Sequence, residues 1–239
     1  MALISAVLFD LDGTLMDHRG AAAAALRASL AASVTIDAAR FVQLEERWSA
    51  LERTHMDVFL GGGCTFTEQR RCRLRDFLPE VGMTAGGDAE LDEWFVGYVR
   101  IYEANWALYS DVIGCLTELL ATPAPPRLAV LTNGEHQQQC AKVDRCNLGS
   151  YFAQVLVSED LGHAKPAREC FAEACRRLEV AADNTVYIGD MVSIDARPAT
   201  AAGMRGVWLD RRGSARDDYR PRVESLAELP ALIQSYENA

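Results

Sequence analysis

Asp10 and Asp12 stand two residues apart, directly after the apolar run Ala6–Phe9 and directly before Gly13-Thr14. Three more clusters share that kind of setting. Thr132-Asn133 follows Leu128–Leu131, Asp190 with Asp195 follows Val186–Ile188, and Lys165 stands before Pro166 at the expected start of a helix. Singly, each has a plain explanation: aspartates make turns and helix caps, and a lysine is usually on the surface. Gathered, carboxylates, one lysine and a small hydroxyl suit one chemistry. A few hard oxygen ligands fit Mg²⁺, which keeps several waters and takes one or two carboxylates plus a substrate phosphate. The cation and Lys165 together would cancel the repulsion between a carboxylate nucleophile and a phosphate dianion.

What must position these groups is a set of short apolar runs. Besides Ala6–Phe9 and Leu128–Leu131, the chain has Val155–Val157 before Ser158, Val186–Ile188 before Gly189, and Gly206–Leu209 before Asp210. Helical segments alternate with these near-continuous apolar strands, a pattern that predicts a parallel sheet covered on both faces. In such a sheet ligands bind at the C-terminal strand ends, where loops diverge. The chemistry-bearing residues fall at those ends. The fold class expected is α/β, a doubly wound, Rossmann-like parallel sheet with its first strand central.

Residues 16–109 interrupt that alternation and carry no strand signal. Leu91, Trp94, Phe95, Tyr98, Val99, Tyr102 and Trp106 share one helical stripe, as do Phe41, Leu44, Trp48 and Leu51. Thr65-x-x-Glu68 has the form of a capping box opening a helix through Leu78. Gly61–Gly63 and Gly86-Gly87 punctuate the segment. A helical bundle inserted at 16–109 is expected, with hinges near 16–20 and 109–111; residues 1–15 and 110–239 then form the core. Arg70, Arg71, Arg73 and Arg75 on one predicted helix read as a solvated, salt-bridged face, or as a greeting for an anionic group. Glu135 and His136 suit a first helical turn or a cleft wall. Gly61–Gly63 reads equally as a linker or as a loop over an active site.

The segments Asp10-Leu11-Asp12-Gly13-Thr14-Leu15, Leu131-Thr132-Asn133-Gly134, Ala164-Lys165-Pro166 and Gly189-Asp190-x-x-x-x-Asp195 resemble the four ordered motifs of the haloacid dehalogenase-like hydrolase superfamily. The match in order and spacing runs over essentially the whole chain. The stretch from Leu131 to Arg211 is especially similar to subfamily I phosphatases with a helical cap. That resemblance implies a set of roles. Asp10 is the nucleophile and forms an aspartyl-phosphate. Asp12, held protonated, is general acid and then general base. The Asp10 carboxylate, the Asp12 main-chain carbonyl and Asp190 ligate Mg²⁺. Thr132 and the Asn133 amide bind phosphate oxygens, Lys165 neutralises charge, and Asp195 supports the metal shell or Lys165. The helical cap closes over substrate and shapes specificity. The chain departs from the family pattern at Ile194, often asparagine, and at Pro198, where a glycine is usual. Proline is tolerated in a first helical turn.

Several residues narrow the activity. Dehalogenases of the superfamily lack an acid two residues after the nucleophile, because halide leaves without a proton; Asp12 therefore favours phosphoryl transfer. The chain has only two lysines, Lys142 and Lys165, so the insertion holds none for a Schiff base. A Mg²⁺-dependent phosphatase acting on a small phosphomonoester is expected. A sugar-phosphate phosphomutase of the same superfamily is the alternative, separated by measuring free phosphate against isomer. A non-catalytic regulatory protein on the same fold is a third, separated by chelator-sensitive hydrolysis of an aryl phosphate.

Composition sets outer bounds. A net charge of −10 opposes general nucleic-acid binding. No apolar run approaches the ~20 residues of a membrane span, and the amino-terminal stretch, interrupted by Asp10 and Asp12, lacks the form of a signal peptide. Seven cysteines without a CxxC pair read as reduced thiols, hence a cytoplasmic enzyme. Oligomeric state leaves no sequence signature.

Overall fold

The computed structural model describes residues 3–31, 33–213 and 217–238. The backbone divides into two compact units, one formed by Met1–Asp17 with Ala107–Ala239 and the other by His18–Trp106.

In chain order the first strand, β1 (Ala6–Phe9), leads into the four helices of the second unit: α1 (His18–Ala31), α2 (Ala38–Leu60), α3 (Phe66–Phe77) and α4 (Asp88–Ala104). The first unit resumes with α5 (Val112–Leu120), β2 (Arg127–Thr132), α6 (His136–Arg145), β3 (Gln154–Val157), α7 (Ser158–Leu161) and α8 (Arg168–Leu178). β4 (Thr185–Gly189), α9 (Arg197–Ala201), β5 (Arg205–Leu209), β6 (Arg222–Val223) and α10 (Leu229–Asn238) complete it. Among the described residues no helix is long and apolar enough to cross a membrane.

The six strands form one sheet in the order β3-β2-β1-β4-β5-β6, parallel throughout. β1, β2 and β4 are buried almost end to end, which is why they read as unbroken apolar runs instead of alternating ones. Register matters more than count. Phe9 is level with Val130 on one side and Ile188 on the other, so the residues following β1, β2 and β4 emerge side by side.

The helical unit is held by an aromatic cluster. Trp48 packs against Phe77, Trp94, Phe95 and Tyr98, and its indole N–H donates to the Tyr98 hydroxyl at 3.0 Å. Leu91, Phe95, Tyr98 and Tyr102 are fully buried, whereas Trp94, Val99 and Trp106 are partly so. The capping box at Thr65 and Glu68 forms as expected, with both reciprocal hydrogen bonds present. The arginines of α3 split. Arg71 pairs with Asp88 and Asp92, and Arg75 with Asp88, which is the expected salt-bridged face. Arg73 departs from it: buried, it meets Glu52 at 2.6 Å and lies over the Trp48 ring. Arg70 lies over Phe66 and Phe95.

Candidate functional site

β1 is the central strand, and its end is flanked by the ends of β2 and β4. The chain leaves β1 through a tight loop closed by Gly13 N–H donating to the Met16 carbonyl, and by Leu15 and Met16 N–H donating to Leu11. Asp10 begins this loop, its N–H still bonded to Ile188 of β4. Thr132 ends β2 and Asp190 follows β4. Sheet order thus brings the distant motifs of the sequence together.

Lys165 is the hub. Its ammonium, 3% exposed, donates to Asp10 Oδ1, Asp195 Oδ1 and the Tyr187 hydroxyl, each at 2.7 Å. All three Nζ protons therefore have acceptors, the condition under which a buried ammonium is tolerated. Burial pulls the Lys165 pKa down, but Asp10 and Asp195 outweigh it and hold it above the usual ammonium range. Asp10 is pushed up to about 6, first by burial and then by Asp195 and Asp12, with Lys165 opposing. The Tyr187 phenol, buried beside two carboxylates, is raised well above its ordinary value.

The supports are local. Thr14 Oγ1 donates to Asp10 Oδ2 at 3.2 Å. Asp195 lies within the helical turn Val192–Ala196, and its Oδ2 accepts from the Met191 N–H at 3.1 Å; it is not the N-cap that its sequence setting also allows. A Cβ on Gly189 would meet the Asp195 side chain at 2.3 Å, so this strand end must be glycine for Asp195 to reach Lys165. Pro198 sits in the first turn of α9, which runs on directly from the helical turn Val192–Ala196.

The Asn133 side chain bonds to the backbone of Lys165. Its side-chain Nδ2 donates to the Lys165 carbonyl at 2.8 Å, and its Oδ1 accepts from the Lys165 N–H at 2.9 Å. The carboxamide splints the β2 loop to the lysine backbone. Glu135 caps α6 and His136 opens it, bonded to Glu159 and Asp160.

Three neighbours lie outside the sequence motifs: Tyr187, which with the motif residue Thr14 holds the hub, and Lys142 and Gln139. Lys142 and Gln139, on α6, reach Asp12: Lys142 Nζ lies 2.6 Å and Gln139 Nε2 3.1 Å from Asp12 Oδ2. Gln139 Nε2 also donates to Thr132 Oγ1 at 2.6 Å. The one available signal was their spacing of three, which sets both on one helix face.

For a cation, the donor set fits. Oxygens of Asp10, Asp190 and Asp195 lie within 4.8 Å of one another. All are hard carboxylate ligands of the kind Mg²⁺ takes. Asp190 lies against Gly13, where φ is +85° and an added Cβ would stand 2.5 Å from Asp190 Oδ2. Within this cluster Asp195 also binds Lys165, Tyr187 and Met191, and Asp10 binds Lys165 and Thr14.

The model of the haloacid dehalogenase-like hydrolase family matches residues 4–203. The chain belongs to that family of hydrolases. Among curated relatives, the N-acylneuraminate-9-phosphatase of Homo sapiens is 28% identical over 98% of this chain and 96% of its own length. The glyceraldehyde 3-phosphate phosphatase of Methanocaldococcus jannaschii is 28% identical over 98% of both chains. Among solved structures, the putative HAD-hydrolase YfnB from Bacillus subtilis, determined bound to magnesium, shares the fold with a TM-score of 0.77 at 23% identity, over 97% of this chain and 99% of that one. A 2-haloacid dehalogenase from Pseudomonas syringae pv. Tomato has a TM-score of 0.64 at 31% identity, over 98% of this chain and 100% of that one. The family and fold expected from the four motifs are therefore correct.

Proposed function

We propose that the chain is a Mg²⁺-dependent, cytoplasmic phosphatase that hydrolyses a small phosphomonoester through an aspartyl-phosphate on Asp10. The observation that carries this is the Lys165 hub. The Asp10 carboxylate lies at the C-terminal end of the central strand, held 2.7 Å from a buried ammonium, in one acidic cluster with Asp190. A carboxylate so placed attacks phosphorus while Lys165 offsets the negative charge it meets.

An Asp10 oxygen bonds to phosphorus, the bond from phosphorus to the alcohol oxygen breaks, and that oxygen takes a proton from Asp12. Water then attacks phosphorus and gives a proton to Asp12, and the bond between phosphorus and Asp10 breaks, releasing phosphate. Thr132 and the main-chain N–H of Asn133 hold phosphoryl oxygens, since the Asn133 side chain is committed to Lys165. Asp195 holds Lys165 in place. Asp10, Asp190 and the Asp12 carbonyl would hold Mg²⁺, which would supply further positive charge at the phosphoryl oxygens.

Asp12 separates this activity from dehalogenation, whose leaving halide needs no proton. The curated relatives are named for a sugar-acid phosphate and a triose phosphate, which supports a small phosphomonoester as the substrate class. Hydrolysis of 4-nitrophenyl phosphate should require Mg²⁺, stop with EDTA and be absent in Asp10→Asn. Acid quenching during turnover should trap phosphate on the wild-type chain alone. Wild-type turnover by Asp10→Asn would overturn the assignment.

A further inference from the structure

Lys142 is the other lysine of the chain, and no step above uses it. Yet it is buried as deeply as Lys165, at 2% exposure. An ammonium removed from water costs several kcal/mol unless a charge and hydrogen bonds compensate it. Here the compensation is specific. Nζ donates to Asp12 Oδ2 at 2.6 Å and to Gln139 Oε1 at 2.7 Å. Gln139 in turn donates from Nε2 to the same Asp12 oxygen at 3.1 Å and to Thr132 Oγ1 at 2.6 Å. The three side chains form a closed ring of hydrogen bonds, and Gln139, itself 2% exposed, ties that ring to the end of β2.

Two fixed donors converge on one carboxyl oxygen. A proton placed on Oδ2 would point at N–H groups that have nothing to accept it with. A proton placed on Oδ1 meets neither of these donors. The donors also fix the plane of the carboxyl, which a residue in a loop would otherwise sample by rotation about χ2.

We propose that Lys142 and Gln139 are positioning residues for proton transfer: they clamp Asp12 by Oδ2 and reserve Oδ1 for the leaving-group oxygen. The proposal rests on the assignment of Asp12 as general acid under "Proposed function" and adds what orients it. In the first half-reaction the bond from phosphorus to the leaving oxygen breaks as Asp12 Oδ1–H transfers its proton to that oxygen. Asp12 is left as carboxylate, its charge facing the Lys142 ammonium. In the second, Oδ1 takes the proton back from water.

A positioned acid matters in proportion to how badly the leaving group needs a proton. The test is the dependence of kcat/KM on leaving-group pKa across aryl phosphates of one shape, from 2,4-dinitrophenyl to phenyl phosphate, with Mg²⁺ present. In Lys142→Met the value for phenyl phosphate should fall ~10- to 100-fold more than that for the dinitrophenyl ester, part of the range a general acid supplies. Lys142→Arg, which keeps a charged donor, should restore most of the ratio. Gln139→Leu should steepen the dependence in the same direction and carries the test if Lys142→Met does not fold. Equal loss for every ester, as expected of a phosphate-binding or merely structural lysine, would overturn the proposal, and so would no loss. Asp12→Asn separates the two levels of the claim. It should already show the steep dependence, with Lys142→Met adding little to it. A shallow dependence in Asp12→Asn would remove the general-acid assignment itself, whatever Lys142 does.

Discussion

Lys165 Nζ lies 2.7 Å from Asp195 Oδ1, the same distance at which it meets Asp10. One ammonium is therefore shared by two buried carboxylates that push against each other, and it offsets only part of their combined charge. Asp195 holds in place the lysine that also meets Asp10.

Removing the lysine should separate stability from catalysis. Lys165→Met leaves Asp10 and Asp195 buried without their cation and should cost about 3–5 kcal/mol in urea denaturation. Turnover should drop by at least ~100-fold. Adding Asp195→Asn should recover part of the stability and none of the turnover. Recovery of both would show Lys165 to be structural only.

Gly13 should control metal affinity. A methyl group there stands 2.5 Å from Asp190 Oδ2, on a backbone with φ of +85°. Gly13→Ala should cost about 1–2 kcal/mol of strain and should raise the Mg²⁺ concentration for half-maximal activity by ~10-fold or more, as Asp190 is pushed aside. Activity recovered at high Mg²⁺ is the expected signature. A loss that no concentration of Mg²⁺ relieves would argue that Asp190 has another role.

The Asn133 splint should be worth about 2 kcal/mol, from two hydrogen bonds of roughly 1 kcal/mol each. Asn133→Ala should lower stability by that amount. It should also slow turnover by ~10- to 100-fold, because Lys165 loses its backbone register. Asn133→Asp keeps an acceptor for the Lys165 N–H but loses the donor to its carbonyl, so it should recover only part of the loss. Both are read by denaturation and by kcat.

The helical unit should show an acid-sensitive transition of its own. Burial alone would raise the Glu52 carboxyl, but Arg73 and His18 outweigh it and hold it well below the usual carboxylate range. A depressed folded-state pKa adds stability above the unfolded value of about 4.3 and loses it as pH falls below that. Glu52→Gln should therefore lower stability by about 2 kcal/mol at pH 7, with the gap from wild type shrinking as pH falls below about 5 and closing only below the depressed folded-state pKa. A gap constant with pH would exclude this pair as its source.

Much of the scaffold was legible before any coordinates. β1 to β5 lie where the apolar runs stand, because a strand buried on both faces has to be apolar without interruption. The aromatic stripe of α4 and the capping box of α3 were equally plain, since both are local patterns with a fixed period or spacing. β6 was missed. Two residues, Arg222-Val223, carry no period, and they pair only because β5 offers an edge. Arg73 was misread because its neighbours on α3 are surface ion pairs, and nothing in their spacing says that Glu52 of α2 waits underneath.

The sequence by itself determined which residue types stand at which strand ends, and in what order the motifs arrive. Strand and helix formation are local, so those features survive translation into a linear code. Which acid meets which lysine was decided only by the tertiary structure. Strand order β3-β2-β1-β4-β5-β6 brings Lys165 to Asp10 and Asp195, and α6 brings Lys142 to Asp12. Those distances are set by sheet pairing and helix packing across 30 to 155 residues of intervening chain, and the Coulomb energy that makes each pairing matter depends on that separation in space.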